Sequence, residues 1–249
     1  MTAGPVVDTP SALEFQREIL DRISEADLQA IAKDLERKST VLRELLSGER
    51  WRSDRAVMRK VLRLVFATRR HADQILDSIG PQPLAAAIAG LLDPGEPVAV
   101  RIDHFDAALK GHFAKGALTG SAFDLPAELL HFTEPGQYWL WTRWIWDPDA
   151  GTGALTLLTT DMVLNPGATR GEAYLTVGQA TAFVDETGRA VGLAPAGPGL
   201  FGVDVLLAAV YGVYMYTVLQ MRMSREFNRV IPPLPDLVRR LLGVYHLEA

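Results

Sequence analysis

Residues 24–48 read SEADLQAIAKDLERKSTVLRELLSG, and this stretch decides the fold class. Ser24 followed by Asp27 is a helix-start signal, because the serine hydroxyl can accept from the free amides of a first turn. Leu28, Ile31, Leu35, Leu42, Leu45 and Leu46 then recur at helical steps and form one apolar stripe, which Gly48 ends. The same grammar extends in both directions. Ser11 with Glu14 is a capping-box pattern that predicts a helix from about Ala12. Ser53 opens a third predicted helix on which Met58, Val61, Leu62, Val65, Ala72, Ile75, Leu76 and Ile79 share a face before Gly80 and Pro81 stop it.

Shorter helices are expected at 83–92 and 98–110, parted by the turn Asp93-Pro94-Gly95. Asn165-Pro166-Gly167 makes another turn, and Thr169 with Glu172 caps a helix predicted to reach Gly188. An apolar helix follows at 205–220, then the break Pro232-Pro233-Leu234-Pro235 and a terminal helix at 236–245. Between 139 and 158 the aromatics favour strand while DPDAGTGAL is turn-like, so strand and helix both stay open and a small β-hairpin is expected there. The expected fold is mainly α, a multi-helix globular bundle. It forms one helical domain over 1–249, and APAGPGLFG at 194–202 is the place where a body of 1–193 would divide from a segment of 203–249.

Composition narrows the chemistry. Of 249 residues 48% are apolar and 22% charged, an ordinary globular balance, and the net charge of −5 gives no overall pull toward nucleic acid or anionic lipid. The chain has no cysteine, which excludes disulfides, thiolate metal sites, cysteine-held iron–sulfur clusters and a cysteine nucleophile. The opening MTAGPVVDTPSALEF lacks a basic start and an apolar run, so a cytoplasmic location is expected. The uncharged run VLLAAVYGVYMYTVLQ at 205–220, followed by Arg222, Arg225 and Arg229, falls short of the about 20 apolar residues a membrane span needs. It is expected to be a core helix.

Four groups of residues could carry function. Arg52, Arg55, Arg59, Arg63 and Arg70 recur at helical spacing in a stretch, 49–70, with eight basic residues and two acids. Such a face could meet phosphates, or it could be a solvated face paired with acidic neighbours. Tyr138, Trp139, Trp141, Trp144 and Trp146 crowd into nine residues and could stack on a planar ligand or fill a core. Tyr211, Tyr214, Met215 and Met221 mark a helix rich in the residue types found where proteins meet. Glu128 and His131 form a Glu-x-x-His step, and Asp103 with His104 adds a second polar group. A di-iron bundle requires two Glu-x-x-His steps, and this is the one the sequence holds, so no metal or cofactor is expected.

Other motifs are incomplete. Asp147-Pro148-Asp149-Ala150-Gly151 starts like a calcium loop but has Leu158 where a bidentate glutamate is needed. Gly197-Pro198-Gly199-Leu200-Phe201-Gly202 has dinucleotide-fingerprint spacing without the strand that should precede it. Residues 116–146, GALTGSAFDLPAELLHFTEPGQYWLWTRWIW, are similar to the helix-hairpin-helix DNA glycosylase superfamily, in which a glycine turn leads into a helix and then to the catalytic aspartate. Trp141 stands at that aspartate's position, Thr119-Gly120-Ser121-Ala122 lacks the paired glycines, and Leu125 stands where some members carry lysine. The resemblance therefore implies a helical scaffold able to hold nucleic acid, and no activity.

The expected role is a non-catalytic accessory or interaction protein acting through helical and aromatic surfaces on a protein partner or a second copy of itself. Two alternatives stay open. One is a nucleic-acid-binding protein using the basic face. The other is an enzyme whose site forms only in the fold, with Asp103, His104, Glu128 and His131 as its group.

Overall fold

The stripe of residues 24–48 becomes helix α2, Glu25–Leu46, in the computed structural model, which describes residues 6–113, 119–160, 164–190, 199–222 and 232–245. Its start is the one the sequence announces. Ser24 Oγ accepts from the Asp27 amide at 3.1 Å and donates to the Asp27 carboxylate at 2.7 Å. Leu28, Ile31, Leu35 and Leu42 are completely buried, and burying one such side chain contributes about 1.5–3 kcal/mol. The described residues are mainly helical, as the patterning predicts.

Three boundaries near the N-terminus differ from expectation. Helix α1, Thr9–Leu20, is capped by Asp8 rather than Ser11: the Asp8 carboxylate accepts from the Ser11 amide at 3.2 Å and the Ser11 hydroxyl at 2.6 Å. The third helix is two helices, α3 at Arg55–Leu64 and α4 at Ala72–Ile79. Asp54, rather than Ser53, caps α3 by accepting from the amides of Ala56 and Val57 at 2.8 and 3.3 Å. The backbone turns extended at Val65, and the buried Thr68 hydroxyl donates to the Leu62 carbonyl, satisfying a helix-end acceptor with a side chain. Val65 and Ala72 are seven residues apart, about two helical turns, so the apolar pattern runs across the break without changing phase.

Gly80, at φ +81°, closes α4 and opens α5, Pro81–Leu92, and the two helices bend by 100° there. Helix α6 is Val98–Phe113 and α7 is Thr119–Thr133. The Thr119–Ala122 stretch named in the glycosylase resemblance thus forms the first turn of α7, while 116–118 lie outside the described residues. The expected hairpin at 139–158 does not form. One antiparallel bridge, Asp147 to Thr152, closes a turn in which Asp147 Oδ1 accepts from the amides of Asp149 and Ala150. The chain then enters α8, Ala154–Leu158. Trp141, Trp144 and Trp146, before the turn, are buried outside any strand. The described strands are β1, Val6–Val7, and β2, Thr159–Thr160, which pair antiparallel.

Helix α9, Arg170–Ala190, starts as predicted, with the Glu172 amide donating to Thr169 Oγ1 at 3.2 Å. Helix α10 is Gly202–Arg222 and α11 is Leu234–Leu241. The 191–198 part of the expected linker lies outside the described residues.

The contacts divide the chain into two units built from discontinuous stretches. One comprises Met1–Glu36, Arg143–Leu164 and Ala180–Ala249; the other comprises Arg37–Thr142 and Asn165–Gln179. In the first unit α10 is the hub, packing on α1, α8 and α11, and its residues Val203 to Val210 are all buried. Gly212 permits this, because a Cβ there would sit 2.9 Å from Leu234 Cδ1. In the second unit α5 packs on α6, and α6 on α7. A Cβ at Gly171 would collide with the Ala99 carbonyl, so glycine lets the start of α9 approach α6. No single helix among the described residues is long and apolar enough to cross a membrane.

Candidate functional site

The basic face is exposed and mostly neutralised. Arg52 pairs with Glu49 at 2.9 Å, Arg55 with Asp77, and Arg59 with Asp73 at 2.7 Å, while Arg63 reaches the same aspartate at 3.9 Å. Arg59 and then the neighbouring arginines hold the Asp73 carboxyl below its usual range. Asp54 is lowered as well, chiefly by the two amides it caps. Arg70 is exposed. These pairs account for the spacing of four arginines through the aspartates of α4 and Glu49, without a phosphate.

The aromatic run is not a surface. Trp141, Trp144 and Trp146 are buried, while Tyr138 and Trp139 are half-buried. Trp139 packs its ring edge where a Cβ on Gly178 would stand 3.1 Å away, and its carbonyl accepts from the Tyr174 hydroxyl at 3.0 Å. Burial pushes the Tyr174 hydroxyl well above the ordinary tyrosine value, so it stays protonated.

The polar group does not assemble into one centre. Asp103 accepts from the Gly171 amide at 2.8 Å, which anchors the start of α9 together with the Arg170–Asp106 pair at 3.4 Å. His104 is exposed and faces Glu96 at 3.2 Å. His131 is buried and its Nδ1–H donates to the Tyr138 carbonyl at 2.8 Å. Glu128 is buried against Lys38. Among the described residues no three His, Asp or Glu side chains converge as a metal would require.

Two buried cations of the second unit escaped sequence reasoning. Lys38 Nζ is completely buried, 2.9 Å from Glu128 Oε2 and 4.0 Å from the Phe132 ring centre. Glu128 Oε2 also accepts from the Phe66 amide at 3.2 Å, and its Oε1 is buried without a partner among the described residues. Arg101 is 4% exposed. Its Nη1 donates to the Leu91 carbonyl and its Nη2 to the Tyr138 hydroxyl, each at 2.7 Å, its plane lies over the Tyr138 ring, and its Nε finds no acceptor. Both had a signal. Lys38 fills the stripe position between Leu35 and Leu42, and Arg101 stands three residues after Val98 and four before Phe105, so each charge occupies an apolar slot.

In the first unit, α10 leaves the core at its C-terminal half. Trp144 contacts Tyr211 at 6.2 Å between ring centres and Tyr211 contacts Tyr214 at 6.1 Å, so a ladder of rings leads from a buried tryptophan to a tyrosine that is 38% exposed. Met215 is half-buried, and Arg22 lies over the Tyr216 ring at 5.5 Å. Met221 belongs to the last turn of α10, and its side chain lies outside the description. Burial, then Tyr214, raises the Tyr211 hydroxyl above its ordinary value. Comparisons with protein-family models, with curated proteins and with solved structures give no match.

Proposed function

We propose that this chain is a non-catalytic interaction protein that associates with a second copy of itself through the emerging end of α10. The observation that carries the reading is the absence of charge there: between Asp204 and Arg222 no residue is charged, although Tyr214 reaches solvent. A solvated helix face ordinarily carries charge, and tyrosine and methionine are enriched where proteins meet. A second copy is favoured because a two-fold interface must complement itself. In a chain of net charge −5, an uncharged aromatic patch meets its own copy without local like-charge repulsion.

Sedimentation velocity over a wide concentration range tests this. The wild-type chain is expected to self-associate, and Tyr214→Glu with Met215→Glu to remain monomeric at an unchanged thermal midpoint. A wild-type chain that stays monomeric throughout, or a dimer indifferent to both substitutions, overturns the reading.

A further inference from the structure

Helices α5 and α6 form a hairpin whose outer groove encloses about 560 Å³. Its α5 wall is made of small residues, Ala86, Ala87 and Gly90, and its α6 wall of Phe105 and Ala108, with Arg101 among the lining residues. The volume lies within the range of small-molecule sites, and a mostly apolar wall with a few polar groups, here Asp93, Glu96, Arg101 and His104, is their usual composition.

Arg101 makes the groove more than a row of small residues. Among the described residues no carboxylate lies within ion-pair distance of it; it donates to a backbone carbonyl and a tyrosine hydroxyl, and its buried Nε–H is unused. An arginine cannot discharge by losing its proton, so the guanidinium remains a buried cation. The nearby Tyr174 hydroxyl is no counter-charge, since burial keeps it protonated. A buried charge without a counter-ion is costly, and a ligand anion would remove that cost.

We propose that the α5–α6 groove binds a small monocarboxylate with a short apolar tail, the carboxylate on Arg101 and the tail along Ala87, Gly90 and Phe105. With Nη1 and Nη2 already donating to Leu91 and Tyr138, the unused Nε–H is the donor that a carboxylate oxygen would accept from. The mouth selects against a phosphate: Asp93 and the Glu96 that faces His104 both line it, and they would repel a second negative charge. The inference is independent of the α10 surface, which belongs to the other unit.

Amide NMR titration of the full chain with hexanoate, hexanol and hexyl phosphate provides the test. Hexanoate is expected to give saturable shifts centred on α5 and α6, with hexanol and hexyl phosphate at least about tenfold weaker, about 1.4 kcal/mol. Arg101→Gln should abolish binding and Arg101→Lys should weaken it. Gly90→Leu guards against a folding artefact. A Cβ at Gly90 meets nothing within 4 Å, and leucine favours the helix, so the variant is expected to fold and to block the groove while leaving Arg101 in place. Absent saturation in the wild type, equal binding of hexanol or hexyl phosphate, or undiminished hexanoate binding by Gly90→Leu overturns the proposal.

Discussion

Lys38 and Arg101 solve one physical problem in opposite ways within a single unit. Both are cations in positions that a helix reserves for apolar side chains, and both are removed from water. Lys38 is answered from within: Glu128, ninety residues away in the chain, supplies the counter-charge, and the Phe132 ring lies beneath the ammonium. Among the described residues Arg101 is answered by neutral groups, a carbonyl, a hydroxyl and a ring. The closed pair ties α2 to α7, an arrangement reinforced by the Ser39 hydroxyl donating to the Phe132 carbonyl at 2.8 Å. The open cation lines a groove. A buried ion pair is weak evidence of function, because it is its own explanation. A buried cation that lacks a carboxylate points outward to a ligand.

The largest expected effect separates charge from packing at the closed pair. Lys38→Met leaves Glu128 as an uncompensated buried charge and should cost about 3–5 kcal/mol in denaturant unfolding. Adding Glu128→Gln, which keeps an acceptor for the Phe66 amide, should recover much of that loss. A double variant as unstable as Lys38→Met alone would show that shape, not charge, governs the site, and the contrast with Arg101 would lose its meaning.

At the open site the same substitution should do less. Arg101→Met removes two hydrogen bonds, at a cost of about 1–3 kcal/mol, but also removes an unanswered charge. Equal or greater damage than at Lys38 would mean that Arg101 is a structural element in disguise.

The smallest expected effect appears at alkaline pH. The Tyr174 hydroxyl titrates higher in the folded chain than its ordinary value of 10.0. The unfolded chain therefore ionises first, and this contribution to stability is complete below pH 10 and is lost as the pH rises beyond it. Tyr174→Phe should flatten the alkaline limb of the stability profile. An unchanged limb would mean that the hydroxyl is not shielded beside Arg101.

The elements were legible where their cause is local. The caps of α2 and α9 and the stripe of Leu28, Ile31, Leu35 and Leu42 depend on residues within one or two turns of each other. The split of α3 from α4 was hidden because Thr68 stops the helix with a side chain while the apolar spacing stays in phase. The 139–158 stretch stays open between strand and helix in the sequence because strand propensity measures fit to a pleated surface, and here Trp141, Trp144 and Trp146 are buried beside one isolated bridge in place of a ladder. The site was less legible still. Asp103, His104, Glu128 and His131 look like one group by type, and the fold engages each with a different partner.

By itself the sequence determined a mainly helical chain with no cysteine chemistry, because composition and three- to four-residue periodicity act through the covalent neighbourhood. Only the tertiary structure decided which charges are answered. The counter-charge of Lys38 is 90 residues away, and that no carboxylate among the described residues pairs with Arg101 is a property of everything packed around it. Electrostatic energy depends on distance and solvent exclusion in space, and neither is written in the spacing of residues along the chain.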